Sequence, residues 1–174
     1  MSDGPSLLVV QHLNAGYGHS QVLFNLSLLA PSRGAVAILG RNGAGKSTLL
    51  KTIAGEISPM SGIIWFDQRH TVEEASERRV RRGLGYVPQE NAIFGRMGGE
   101  RKMLAIGRAL VGRPKLLMLD EPTEGVWVGV IDEIAEQLAK LASSISLILV
   151  EQHVELALRL AQYAYVHGSR FDRA

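Results

Sequence analysis

One glycine-rich segment constrains the fold of this chain more than any other feature. It follows the apolar run 35–39, precedes apolar residues at helical spacing, and consists of Gly40, Arg41, Asn42, Gly43, Ala44, Gly45, Lys46, Ser47 and Thr48. Glycine permits backbone angles that let successive amide groups surround a di- or triphosphate at the positive end of a helix. The segment therefore predicts a phosphate-binding loop, in which Lys46 neutralises phosphate charge and Ser47 ligates Mg²⁺. A glycine-rich turn without a ligand is the alternative, and the flanking strand and helix patterns argue against it.

A second segment ends an apolar strand with two carboxylates. Residues 116–119 are all apolar and are followed by Asp120 and Glu121. Such a strand places an acid at the carboxyl edge of a parallel sheet, beside the phosphate-binding loop. We expect Asp120 to hold Mg²⁺, directly or through water. We expect Glu121 to orient or deprotonate the attacking water, because phosphoryl transfer to water needs a positioned acceptor; a solvated carboxylate is the alternative.

Composition limits the classes of protein that this chain can belong to. Its 174 residues suit one domain over residues 1–174 with an ordinary core. The absence of cysteine gives no disulfide framework, which fits the cytosol, and no apolar stretch is long enough to span a bilayer. A net charge of +2 gives no electrostatic argument for nucleic acid, and we expect no nucleic-acid partner. The basic cluster 78–82 is interpreted as a solvated helix end, with a patch for nucleic acid or anionic lipid as the alternative.

Strand and helix patterns alternate along most of the chain, which predicts an α/β fold with a mostly parallel sheet. Alternating polarity before the phosphate-binding loop predicts two antiparallel strands, 7–13 and 22–29, joined by a turn at 14–18. Further strands are predicted at 35–39, 63–66, 84–87, 116–119, 145–150 and 163–166. Helices are predicted after the glycine-rich segment and at 72–82, 100–111, 130–141 and 154–162.

The order of these motifs, with Tyr86-Val87-Pro88-Gln89 between them, resembles the nucleotide-binding subunits of ABC transporters over nearly the whole chain. The resemblance implies a P-loop NTPase fold of the ABC type, with helices on both faces of the sheet and an N-terminal antiparallel β subdomain. It also implies that Tyr17 stacks on adenine and that Gln89 contacts both Mg²⁺ and the attacking water. Gly98 and Gly99 open a helix, and the resemblance implies that they reach across a dimer to the partner's γ-phosphate.

Four shorter matches resemble the ATPases of importers for branched-chain amino acids and for urea or short-chain amides. They are residues 85–89, 103–110, 120–125 and 150–153. They imply a subunit that hydrolyses ATP with Mg²⁺, forms a homodimer or a heterodimer with a related ATPase, and drives integral membrane permease subunits by dimer closure. Such a subunit is cytoplasmic and peripheral on the inner face of the cell membrane. A nucleotide-binding module with little or no hydrolysis and a soluble ABC-type ATPase not linked to transport are the alternatives.

The chain departs from the family pattern at several positions. Only residues 90–97 separate Gln89 from Gly98, where relatives insert a helical subdomain that contacts the membrane subunits. Either the protein lacks this subdomain, or the printed sequence joins two segments across an omitted stretch; the retained flanking motifs favour the second interpretation. Met97 replaces the usual signature serine, so the hydroxyl donor to the γ-phosphate is missing. Trp127 occupies the position at which many relatives have an aspartate that contacts the partner across the dimer interface. That contact is therefore not assumed for this chain.

The chain also differs from the common pattern at the position of the switch histidine, the family residue that senses the γ-phosphate. Gln152 aligns with it, whereas His153 is its neighbour. The importer subgroup also tends to have glutamine there, so the resemblance implies that Gln152 senses the γ-phosphate. We interpret His153 as a surface residue at the start of a helix.

Overall fold

The computed structural model describes residues 6–89 and 98–166. Its strands are β1 (Ser6–Tyr17), β2 (Ser20–Pro31), β3 (Gly34–Leu39), β4 (Ser61–Phe66), β5 (Arg69–His70), β6 (Leu84–Val87), β7 (Leu116–Asp120), β8 (Ser146–Glu151) and β9 (Tyr163–Val166). Its helices are α1 (Lys46–Ala54), α2 (Ser76–Arg81), α3 (Gly98–Val111), α4 (Val128–Ala142) and α5 (Val154–Leu160). No helix in these two ranges has both the length and the apolar character needed to cross a bilayer.

The central sheet is parallel and has the strand order β6-β7-β8-β3-β9. Strand β8 pairs with β3 and with β7, so that Leu39 lies opposite Glu151 and Asp120 lies opposite Val150. All three strands are buried along their whole length, as expected for parallel strands that are covered on both faces. The carboxyl ends of β3, β7 and β8 therefore lie side by side at one edge of the sheet.

A second sheet, with the order β2-β1-β4-β5, is antiparallel. The turn predicted at 14–18 is wrong, because β1 continues to Tyr17 and pairs with the first residue of β2. Two register irregularities cause the difference: His12 and Asn25 adopt left-handed backbone angles, with φ of 50° and 49°. These bulges interrupt the alternation of polarity on which the predicted strand ends were based.

Apolar residues of the parallel strands alternate between two cores. Met118 and Ile148 pack with α1 and the antiparallel sheet. Leu119 and Leu149 point the other way and pack with residues of α3 and α4. Helices thus cover both faces of the sheet, and the predicted α/β fold class is confirmed.

The predicted helices and strands are present, with ends that differ by a few residues. Helix α3 begins at Gly98 and not at residue 100, and α4 begins at Val128. Helix α2 is shorter than the predicted range 72–82, because the chain leaves β5 through a turn before the helix begins. Strand β5 was not predicted, since two residues are too few to produce a detectable alternation.

The basic cluster 78–82 is not a uniformly solvated helix end. Arg79 is 1% exposed, and its guanidinium donates hydrogen bonds to the carbonyl oxygens of Thr52 at 3.0 Å and Ile53 at 2.8 Å. Both carbonyls belong to the last turn of α1, where carbonyls lack the usual partner one turn further along the helix; the Thr52 carbonyl also accepts from the Gly55 amide at 3.2 Å. Arg82 forms a 2.8 Å ion pair with Glu74. For these two arginines the interpretation as solvated residues is wrong.

Replacing Arg79 with methionine should destabilise the fold, because the Ile53 carbonyl loses its donor and the Thr52 carbonyl loses one of its two donors. A buried polar group left without a partner costs about 1–3 kcal/mol, so we expect the free energy of unfolding to fall by about 2 kcal/mol or more. Urea denaturation measures this change. Arg81→Met makes the same substitution at an exposed position of α2 and should stay within about 0.5 kcal/mol of wild type. Equal stability of the two variants would contradict the role assigned to Arg79.

Candidate functional site

The glycine-rich segment lies between β3 and α1, as predicted. Gly43 and Gly45 adopt left-handed backbone angles, with φ of 79° and 93°, in a region that other residues rarely occupy. Gly45 is the N-cap of α1, and the first turn of this helix contains no acidic residue. The unpaired amide groups and positive dipole end of α1 therefore open onto the loop, which favours an anion at this point.

Lys46 lies against the loop and not in solvent. Its side chain is 4% exposed, and its Nζ donates hydrogen bonds to the carbonyl oxygens of Gly40 at 2.7 Å and Arg41 at 3.0 Å. The Oε1 atom of Glu121 is 3.5 Å from the same Nζ. The ammonium can therefore exchange one of these partners for a phosphate oxygen without leaving its position.

Asp120 ends β7 with a buried carboxylate. Burial raises the pKa of Asp120, while the nearby Ser47 hydroxyl and Lys46 ammonium oppose this rise. The Tyr86 hydroxyl donates to Oδ2 at 3.5 Å. Burial and the Asp120 charge raise the pKa of Tyr86, so this phenol keeps the proton that it donates. Among the described residues, Oδ1 of Asp120 has no hydrogen-bond partner, which is unusual for a buried carboxylate oxygen.

The oxygen atoms at this point fit Mg²⁺. The unpaired Oδ1 of Asp120, the Ser47 hydroxyl and the amide oxygen of Gln89 are the hard ligands that this ion prefers. Residues 6–89 and 98–166 contain no cluster of three or more His, Cys, Asp and Glu side chains that could hold a metal by themselves. Mg²⁺ needs only one or two protein ligands when phosphate oxygens and water complete its shell.

Glu121 follows β7 and is 5% exposed. Its Oε2 accepts hydrogen bonds from the amide nitrogens of Gln152 at 2.9 Å and Gln89 at 3.4 Å. Its Oε1 faces Lys46. The same amide nitrogen of Gln89 also donates to Glu124, so the amide oxygen of Gln89 is left for another partner. Three separate segments of the chain thus contact one carboxylate. These contacts fix the position of the carboxylate, as a proton acceptor in catalysis requires.

Glu151 supports the loop that carries Glu121, although sequence reasoning gave it no role. This carboxylate is 1% exposed. Its Oε1 accepts hydrogen bonds from the backbone nitrogen of Thr123 at 3.1 Å and from the Thr123 hydroxyl at 2.8 Å. Burial raises the pKa of Glu151, and the Thr123 hydrogen bonds oppose the rise. Glu151 directly follows the apolar residues of β8, just as Asp120 directly follows those of β7. The same sequence pattern could therefore have identified Glu151 as a candidate site residue.

A cleft of about 440 Å³ lies above the phosphate-binding loop. This volume is typical of a ligand site, for which about 300–1,000 Å³ is usual. Its lining consists of Val22, Asn42, Gly43, Gly45, Lys46, Ser47, Thr48, Gln89 and Glu121. Val22 on β2 was not predicted, because an isolated valine in a strand gives no signal of contact with a ligand.

Six residues that were predicted to bind the nucleotide do not line this cleft: Tyr17, Gly40, Arg41, Ala44, Gly98 and Gly99. Tyr17 ends β1 with 53% of its surface exposed. Gly98 and Gly99 begin α3. Met97, in the place of the signature serine, is outside the described residues.

Two other residues singled out in the sequence lie at helix starts. Trp127 precedes α4 and is 76% exposed. His153 precedes α5 at an exposed position and makes no side-chain capping hydrogen bond. The position of His153 agrees with its interpretation as a surface residue.

The fold and the site together define an ATPase domain of the P-loop class. Residues 23–98 match the ABC transporter family model. The chain is 31% identical to the high-affinity branched-chain amino acid transport ATP-binding protein BraG of Pseudomonas aeruginosa, over 92% of this chain and 88% of that protein. The chain belongs to the ABC transporter family and is an ATP-hydrolysing domain of that family.

Two further similarities concern a protein of another pathway and a solved structure. The chain is 26% identical to the lipopolysaccharide export system ATP-binding protein LptB of Haemophilus influenzae, over 94% of this chain and 88% of that protein. The fold matches a crystal structure of a nucleotide-free ATP-binding cassette from an ABC transporter with a TM-score of 0.83. That match has 19% identity and covers 94% of this chain and 88% of the other. The alignment with BraG has 205 positions, more than the 174 residues of this chain, so BraG has residues that this chain lacks.

Replacing Glu151 with glutamine should change how stability depends on pH. The unfolded carboxyl titrates near its ordinary pKa of about 4.3, whereas burial raises the pKa in the folded protein. Between these two values the folded state binds more protons, so wild type loses stability relative to the variant as the pH rises. Above the folded pKa the difference should become constant. Urea denaturation of both proteins from about pH 4 to about pH 8 measures it.

The control for this experiment is Glu133→Gln, which removes a carboxyl from an exposed position of α4. The stability difference between wild type and this control should change much less with pH. A pH-independent difference between wild type and Glu151→Gln would contradict the raised pKa.

Proposed function

We propose that this domain binds Mg·ATP at the glycine-rich loop and hydrolyses it with Glu121 as the acceptor for the attacking water. One observation carries this proposal: the Glu121 carboxylate lies 3.5 Å from the Lys46 ammonium, at the mouth of the loop. An acceptor so close to the phosphate-binding lysine is positioned to take the proton of a water that attacks a terminal phosphate in line. When bound, Mg²⁺ would neutralise developing charge on the phosphate oxygens.

Each polar group around Glu121 has a separate role in the proposed hydrolysis. Lys46 binds phosphate charge, and Asp120 with Ser47 holds the metal. Gln152 and Gln89 hold the Glu121 carboxylate by their amide nitrogens. Because these amides are neutral, they fix the orientation of the carboxylate and leave its negative charge in place.

A second copy of the domain, or a related ATPase, is the proposed partner at the start of α3. Gly99 lies next to the start of α4, since a Cβ on this residue would be 3.0 Å from the Val130 side chain. Trp127 and Val128, at the same end of α4, are each 76% exposed. Exposed apolar side chains beside an anion-binding helix start suit a surface that a partner domain covers.

We propose that the ATPase cycle drives a membrane permease, with the domain on the cytoplasmic face of the cell membrane. BraG serves branched-chain amino acid transport, which supports import of these or related small solutes. The similarity to LptB keeps export by a related ATPase as the second candidate. BraG has residues that this chain lacks, which supports the interpretation that a helical subdomain belongs between Gln89 and Gly98. Co-purification of the full-length protein with its permeases from the host membrane tests this assignment.

Lys46→Ala should weaken ATP binding and leave the fold intact. The lysine contributes a charge–phosphate interaction and not a core contact, so we expect affinity to fall by about tenfold or more. Titration with a fluorescent ATP analogue measures the affinity, and circular dichroism checks the fold. Lys51→Ala, in the last turn of the same helix, is the matched control and should bind as wild type does. Equal affinity of the two variants would remove Lys46 from the phosphate site.

Glu121→Gln should preserve binding of Mg·ATP and slow its hydrolysis. Neutralising a positioned acceptor is expected to reduce the rate by about a hundredfold or more. Single-turnover hydrolysis with excess enzyme is the measurement, and the exposed Glu133→Gln is the control. If Glu121→Gln hydrolyses ATP as fast as the control, Glu121 has no part in the chemistry.

A further inference from the structure

One buried lysine of α3 contacts the main chain of Glu121. Lys102 is 4% exposed, and its Nζ donates a 2.7 Å hydrogen bond to the carbonyl oxygen of Glu121. Among the described residues, no carboxylate forms an ion pair with this ammonium. Burying a charge without an ionic partner is costly, and this hydrogen bond is the compensation that the structure provides. The contact is therefore directed at one atom, the carbonyl oxygen of the proposed catalytic residue.

The backbone of Glu121 needs such a contact more than an ordinary loop residue does. Its φ is 49°, in the left-handed region that residues other than glycine rarely occupy. The next residue, Pro122, has no amide hydrogen with which to fix the turn. The Glu121 amide donates to Val150 at 2.9 Å, and the Glu124 amide reaches the Glu121 carbonyl at 3.2 Å. Lys102 makes the shorter of the two hydrogen bonds to that carbonyl.

Lys102 reaches this carbonyl because α3 lies close to the chain that follows Glu121. A Cβ on Gly99 would be 3.0 Å from a methyl group of Val130 and 3.6 Å from one of Val126. Glycine at this position therefore permits the close approach. Lys102 follows one turn later on the same helix, so its side chain lies where β7 ends.

We propose that Lys102 is a positioning residue for ATP hydrolysis: it holds the Glu121 carbonyl and so fixes the direction in which the Glu121 carboxylate points. This role rests on the proposed function of Glu121. Lys102 does not line the nucleotide cleft, so it acts on the rate of hydrolysis and not on ATP affinity. A carboxylate displaced by about 1 Å can lose about a hundredfold in rate, which makes a single main-chain anchor consequential.

The test compares three variants with wild type. Lys102→Met removes the donor and keeps the length of the side chain, and Lys102→Arg keeps a donor. Lys140→Met makes the same chemical change at an exposed position of α4. We expect Lys102→Met to slow single-turnover hydrolysis by about 10- to 100-fold, with Mg·ATP affinity changed by less than about twofold. Lys102→Arg should recover most of the rate, and Lys140→Met should match wild type.

A double-mutant cycle separates positioning from general damage to the fold. In the Glu121→Gln background, Lys102→Met should slow hydrolysis by less than about twofold, because the group on which it acts is already neutral. The same loss of rate in both backgrounds would overturn the proposal. Failure of the proposed function gives a different result, namely an unchanged rate in Glu121→Gln itself.

A measurement without catalysis gives an independent answer. Amide hydrogen exchange of the peptide that contains residues 121–124 should be faster in Lys102→Met than in Lys140→Met, because the turn has lost an anchor. Equal exchange in the two variants would overturn the proposal whatever the hydrolysis rates.

Discussion

The pairing of β8 with β3 on one side and with β7 on the other determines where the charged groups of the site can lie. Strands of this kind are buried on both faces, and a slip of one residue would exchange the two faces of a strand. Leu119 and Leu149 must face α3 and α4, while Met118 and Ile148 face α1. Apolar packing therefore sets the register, and the register delivers the acids at the strand ends to the edge where the phosphate-binding loop begins.

The site keeps several charges away from water, and the main chain compensates most of them. Lys46 donates to carbonyl oxygens of the loop, and Lys102 donates to the carbonyl of Glu121. Glu151 accepts from the amide and hydroxyl of Thr123. Lys46 also faces the Glu121 carboxylate at 3.5 Å, but ion pairing alone seldom recovers the cost of removing both charges from water. Hydrogen bonds to the backbone in addition fix the path of the chain, which is what a hydrolytic site needs in order to hold an acceptor in place.

Local sequence patterns predicted the parts of the site that lie on one continuous segment. The glycine-rich segment, the acids at the end of β7 and the α/β alternation each have a short-range signal, and each is present in the structure. Arg79 and Lys102 gave no such signal, because a buried cation in an amphipathic helix has the same sequence pattern as a solvated one. Their partners are carbonyl oxygens of distant segments, and any residue supplies a carbonyl. Only the tertiary structure identifies the particular acceptor.

One residue before the interval 90–97 and one residue on the helix after it both form hydrogen bonds with Glu121, but with different atoms of it. Gln89, before this interval, donates to the Glu121 carboxylate, and Lys102, on the helix after it, donates to the Glu121 carbonyl. In the family pattern this interval carries the subdomain that contacts the permease. A force applied to a subdomain in this interval, as proposed above, would therefore reach the proposed acceptor through its side chain and through its main chain at the same time. Two short hydrogen-bonded routes to one residue provide a physical means for the proposed coupling of transport to hydrolysis, because a displacement along either route alters the geometry of attack.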